Sequence, residues 1–247
     1  MTALTRMTRT ELVLLARDKA TLPLTFLLPL GLLVGFGSGD GMREPLPEYG
    51  GLTAFDLFIV PIALVLVVTM LALQVFPVTL ATYRERGILK RLATTPISPS
   101  TMLGAQLLVH VALLVTSLGL TAVVAGLAFD VSAPADPWVG LGVLLAGAFA
   151  LYAMGMAVAA LVPRTGTATA VGMGLFFPQL LLGGLMVPAD QLPDVLATIG
   201  EFTPVGATLA AVQDAWVGDG VAALHLAVLA GWTLVCGAVA ARRFRWS

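Results

Sequence analysis

Four polar side chains stand in or near otherwise apolar stretches of the sequence: Gln74, Gln106, His110 and Gln179. His110 is the titratable one, and an ionisable group at membrane depth is by default a candidate for proton or substrate handling. A neutral imidazole can equally hydrogen-bond a facing helix, as Gln106 one turn earlier can, and both readings of His110 stand at this level. An ion-coupled secondary transporter would use His110 in the first way. Such a carrier is expected to keep carboxylates or basic groups inside its spans, whereas the acids here fall at the ends of the apolar stretches or between them. An intramembrane hydrolase would need a nucleophile with a base in reach. Ser117 lies seven residues from His110, about two helical turns away and too far for a direct hydrogen bond. There is no G-x-x-x-x-G-K-[ST] loop to cradle ATP phosphates and no Cys/His cluster with metal-ligand spacing, so no bound cofactor or metal is expected in this chain.

The second chemical feature is the charged island TYRERGILKRLATTPISPST, residues 82–101. It carries Arg84, Arg86, Lys90 and Arg91 against a single acid, Glu85. Read as a helix from 84 to about 94, it places Ile88, Leu89 and Leu92 on one side, which makes a short amphipathic rod. Thr95-Pro96 should stop that rod, because a residue before proline is pushed out of the helical region. Ser98 and Pro99 then read as the N-cap and first residue of the next helix.

The elements that must position these groups are set by composition. The 247 residues are 58% hydrophobic and 11% charged, with a mean hydropathy of +0.97. Soluble domains carry about 25% charged residues, so the chain reads as an integral membrane protein. Its 13 Lys and Arg form no exposed basic domain, which excludes a nucleic-acid footprint. The single cysteine, Cys236, lies in an apolar run and excludes an internal disulfide.

Residues 1–20 set Arg6, Arg9 and Arg17 roughly opposite Leu4, Met7, Leu14 and Leu15, the pattern of a helix lying in the membrane interface; Glu11 and Asp18 fall on its apolar face. Six apolar blocks follow, at about 21–37, 57–81, 102–128, 138–162, 167–187 and 221–241, against the roughly 20 helical residues that a bilayer core requires. Pro23, Pro29, Pro61 and Pro77 interrupt the first two, and the carbonyls they free must be satisfied by neighbouring helices or side chains. Lys and Arg gather near the N-terminus, in the 82–101 island, at Arg164 and at Arg242, Arg243 and Arg245. By the positive-inside rule that side and both termini are cytoplasmic, with Arg43 the exception. The stretch 188–220, predicted to be external, shows helical spacing at Leu192, Val195, Leu196, Ile199 and Phe202. After a break at Thr203-Pro204 the spacing resumes at Val205, Leu209, Val212 and Trp216, so two short helices are expected to dip into the outer leaflet or cap the bundle. Gly183 and Gly184, ahead of Pro188, allow a bend there. The predicted fold is an all-α membrane protein of six transmembrane helices with an N-terminal interfacial helix, a short cytoplasmic helix between spans two and three, and external re-entrant helices before span six.

Two segments resemble a known family. YRERGILKRLATTPISP at 83–99 and GGLMVPADQLPDVLATIGEFTPV at 183–205 are similar to runs found in the ABC transporter permeases of the type-2 export class, a group that includes daunorubicin-resistance-type and polysaccharide- or lipid-exporting membrane subunits. The resemblance covers nearly the whole chain. It implies that the short cytoplasmic helix docks in a groove of a separate ATPase subunit, which holds ATP and Mg. Glu85, Arg86, Gly87, Leu89, Lys90 and Leu92 would then be the coupling residues. Residues 1–20 would correspond to a connecting helix, and Gly183, Gly184, Pro188, Leu192, Pro193 and Pro204 to the external re-entrant region. The partners implied are that ATPase, a second copy of the chain or a homologous permease, and membrane lipid. Apolar walls with few polar anchors favour a hydrophobic or amphipathic cargo such as a drug-like metabolite or a lipid.

Overall fold

One apolar helix runs through the middle of the molecule and the others surround it. The computed structural model describes residues 3–17, 21–88 and 99–243. In chain order the helices are α1 (Ala3–Ala16), α2 (Thr21–Gly37), α3 (Phe55–Glu85), α4 (Pro99–Phe129), α5 (Pro137–Leu161), α6 (Thr165–Leu182), α7 (Asp194–Glu201), α8 (Pro204–Val217) and α9 (Ala223–Arg243). Among the described residues the one β pairing is an isolated bridge between Pro45 and Thr53. The architecture is all-helical, as a chain without water to bond its amides requires.

The central helix is α3. Its most apolar stretch is 78% buried, against 17% for the corresponding stretch of α9, so α3 is the core and α9 presents its side chains outward. The most extensive helix pair is α5 with α9; α3 packs along both α5 and α6, α8 packs on α5, and α1 lies along α4.

Two π-helical turns, Phe55–Ile59 and Leu71–Val75, interrupt α3, and each is followed within two residues by a proline. Pro61 has no N–H for the carbonyl of Leu57, and Gln213 of α8 donates its Nε2 to that oxygen at 3.2 Å. Pro77 likewise leaves the carbonyl of Leu73 without its usual donor. The Phe76 amide is diverted to the Leu71 carbonyl, which also deprives Ala72. Both freed oxygens face glycines on neighbouring helices. The Leu73 oxygen lies 2.5 Å from where a Cβ on Gly172 would sit, and the Ala72 oxygen lies closer still to a Cβ on Gly155. Only backbone without a side chain admits α5 and α6 so near to α3.

Among the described residues, five helices are long and apolar enough to cross a membrane: α3, α4, α5, α6 and α9. The expected first span, 21–37, corresponds to α2, whose apolar part is Thr25–Gly37. Its 17 residues reach about 25 Å, short of the roughly 30 Å hydrocarbon core. A sixth crossing is reached instead if α7 and α8, bent by 84° at Thr203, count as one broken span. The α8 half of that pair is not a cap on the surface. It is buried along most of its length, from Pro204 to Trp216, because Ala207, Ala211 and Ala215 let its second face approach α5 as its Val/Leu stripe packs on the core, while Gly206 closes on Gly200 of α7. α7 matches the surface expectation better, with Val195, Ile199 and Phe202 exposed.

At the acidic end of the bundle, Asp56 is buried and accepts hydrogen bonds from Thr53 N (2.8 Å), Thr53 Oγ1 (2.7 Å) and Ser132 N (3.0 Å). Arg43, the exception to the charge sorting, donates to the carbonyl of Phe129 at 3.2 Å, a cation at the carbonyl end of α4.

Candidate functional site

At the opposite end of α3, Arg84 and Glu85 are consecutive and each holds a different helix terminus. Arg84 Nη1 donates to the carbonyls of Ala159 (2.7 Å) and Val162 (3.4 Å), at the C-terminus of α5. The Glu85 carboxylate accepts from the amide of Thr165 at 2.8 Å, the first residue of α6. The signs suit the helix dipoles, with the cation on exposed carbonyls and the anion on an exposed amide. Thr82 and Thr165 add a hydroxyl contact at 3.2 Å. The α5–α6 turn is thereby clamped to the end of α3.

The clamp revises one expectation and adds to another. The island does not begin a new helix at Arg84, because α3 continues to Glu85 and the break falls at Arg86–Gly87. There the amides of Arg86 and Gly87 turn back to Thr82 O (2.9 Å) and Arg84 O (3.0 Å). Gly87 has φ +65°, the left-handed position that favours glycine after a helix end. Glu85, a coupling residue by the resemblance, is also a structural contact, since α6 occupies one of its oxygens. Arg86 is exposed and makes no side-chain hydrogen bond among the described residues. Leu89, Lys90 and Leu92 lie outside the described residues, as do Arg91 and Ser98.

Beside the clamp, between α1, α3 and α4, lies a cleft of about 150 Å³ whose polar groups include Glu11, Thr79, Tyr83, Gln106 and His110. The Tyr83 hydroxyl donates to the Glu11 carboxylate. Glu11 is 9% exposed, Gln106 2% and His110 3%, yet Gln106 Nε2 and His110 Nδ1 have no hydrogen-bond partner. The His110 ring stands edge-on to Phe76 (centroids 4.9 Å apart) and Tyr152 (6.0 Å), so its packing is aromatic while its nitrogen chemistry is unanswered.

The four polar residues singled out in the sequence therefore separate. Gln106 and His110 share the cleft. Gln179 instead joins α6, α5 and α8, donating to the Met154 sulfur at 3.4 Å and accepting from Val205 N at 3.3 Å. Gln74 sits in the inner π turn facing α6 at Gly172. Glu11, Tyr83 and Arg84 were not among the expected site residues. The one sequence signal for Glu11 was its misplacement on the apolar face of α1. In the re-entrant region, Gly183 and Gly184 form the turn that ends α6, with φ +82° at Gly184. Pro188 precedes a short 3-10 turn that Leu192 ends, Pro193 precedes α7 and Pro204 opens α8. Among the described residues no group of three or more His, Cys, Asp or Glu could hold a metal ion.

A family model described as ABC-2 family transporter protein matches residues 40–242, most of the chain and including α3 to α9 almost entirely. No curated protein matches the sequence.

Proposed function

The chain belongs to the ABC-2 family of transporter proteins, and on that premise we propose that this permease subunit forms the translocation pathway of an ATP-driven exporter, coupled to a separate ATPase subunit that holds ATP and Mg. The observation that carries this reading is the clamp at the end of α3. A displacement applied to the segment after Glu85 reaches the C-terminus of α5 through Arg84 and the N-terminus of α6 through Glu85. Because α3 is the buried axis of the bundle, such a push is delivered to the core and not to a loop. Arg86 and the residues that follow it supply the docking face, and the charge sorting places that face, with both termini, on the cytoplasmic side of the inner membrane.

Two copies of the chain, or one with a homologous permease, complete the pathway. Outward apolar side chains such as Leu234 and Val235 on α9 and Phe177 on α6 are available to lipid or to the second copy. The cargo is a hydrophobic or amphipathic molecule, drug-like or lipid, in keeping with walls that offer few polar anchors. Purified in mild detergent from its native membrane, the chain is expected to retain an ATPase subunit in equal ratio, in an assembly with two of each. A 25.6 kDa monomer free of ATPase would overturn this reading.

A further inference from the structure

The geometry points to a head-group site for cationic amphiphiles in the cleft between α1, α3 and α4, with Glu11 as the counter-charge. This names a class of cargo for the permease proposed above and rests on that reading. Glu11 is nine-tenths buried and in no ion pair among the described residues, and its hydrogen-bond donor is the neutral Tyr83 hydroxyl. A carboxylate so placed lacks the compensation that burial of charge demands. Arg6 and Arg9, on the same helix, are exposed. Arg86, which acts on Tyr83 from beyond the cleft, is exposed as well, where solvent and salt screen it.

Acceptors converge in the cleft. Tyr83 gives its proton to Glu11 and Thr79 gives its proton to Val75 O at 2.9 Å, so both hydroxyls keep only lone pairs to offer a ligand. With the second oxygen of Glu11 they form the complement of an ammonium group, which carries three donors. Gln106 Nε2, which makes no full hydrogen bond and only a weak interaction with the Tyr83 hydroxyl, is a donor, and His110 Nδ1 is a donor or an acceptor according to tautomer. Together they suit a hydroxyl or carbonyl oxygen adjacent to the amine. The volume, about 150 Å³, equals about five waters, enough for a head group but not for a whole amphiphile. The tail has an apolar exit over Leu14 and Leu15, since Leu14 is half exposed at the α1 side of the cleft.

The full chain in phosphatidylcholine nanodiscs, without any ATPase, is titrated calorimetrically with dodecylamine, 2-aminododecan-1-ol, dodecan-1-ol and dodecanoate. Both amines are expected to bind saturably, one per chain, with dodecanol and dodecanoate showing only lipid partition. Glu11→Gln, which can still accept from Tyr83, is expected to weaken amine binding about 30-fold or more. Gln106→Leu is expected to weaken the amino alcohol about 2- to 12-fold while sparing dodecylamine. Competition by added phosphatidylethanolamine would identify a lipid amine as the resident head group, and its absence a free amphiphile. Equal binding of dodecanol and dodecylamine, no saturable binding at all (a cleft that holds only water), or unchanged affinity in Glu11→Gln would each overturn the site. The selectivity of the unmutated chain decides the matter even if a variant fails to fold. Because no ATPase is present, the site can fail while the permease reading stands, and the reverse.

Discussion

Glu85→Lys is expected to leave the protein folded and inserted but to lower substrate-stimulated ATP hydrolysis of the assembled complex by about 5-fold or more. The side chain is exposed, so no core packing is lost, but the change removes the acceptor on Thr165 N and sets a cation against the positive end of α6. Motion arriving at the end of α3 would then reach α5 through Arg84, but α6 only through the Thr82–Thr165 contact and helix packing, without the charge at its N-terminus. Exchanging the two charges, as Arg84→Glu with Glu85→Arg, is not expected to restore coupling, because each charge would meet the helix end of its own sign. A plain topological anchor behaves differently: Arg86→Glu and Arg91→Glu would act alike, and a lysine added nearby would rescue both. Near-normal hydrolysis for Glu85→Lys, Arg86→Glu and Arg91→Glu together would remove coupling from this segment.

Gly155→Leu is expected to prevent recovery of folded protein, and Gly155→Ala to lower the melting temperature in detergent clearly. A side chain at this position meets the backbone carbonyl of Ala72 in the inner π turn, which cannot retreat as a flexible side-chain tip could. Overpacking of a core typically costs about 1–3 kcal/mol, and a backbone obstacle puts this site at the upper end of that range. Gly142, on the same helix with open space where its Cβ would be, is the control; Gly142→Ala is expected to stay within about 0.5 kcal/mol. Thermal unfolding followed by intrinsic fluorescence compares them, and a Gly155→Ala melt matching the unmutated chain would show that α5 does not need this approach to α3.

The apolar blocks were legible because a 20-residue hydrophobic run has few other fates. So was the need to satisfy the carbonyls freed by Pro61 and Pro77. What meets them was not legible, because Gln213, which donates to the Leu57 carbonyl, and Gly172, against which the Leu73 carbonyl packs, lie far along the chain and nothing local marks them as facing α3. The Val205–Trp216 stripe was legible as a helix, but its burial was not, since a second face of glycine and alanine carries little hydrophobic signal. Glu85 shows the same limit from the side of charge. Sequence registers an acid in a basic island, but an acid aimed at water and one aimed at a helix N-terminus 80 residues further on look alike. Glu11 was visible only as a misfit on an apolar face; that it is buried beside Tyr83 was not legible, because its neighbours lie on α3 and α4, far along the chain.

Coupling at the end of α3 is tested most directly by a cysteine at the first exposed residue beyond the clamp. In an Arg86→Cys chain with the buried Cys236 replaced by serine, a membrane-impermeant maleimide is predicted to label inside-out vesicles but not intact cells. A short bifunctional reagent is predicted to join residue 86 to the ATPase subunit, with a yield that changes when ATP is added. Labelling from the outside of intact cells, with no adduct to the ATPase, would contradict docking at this end of the bundle.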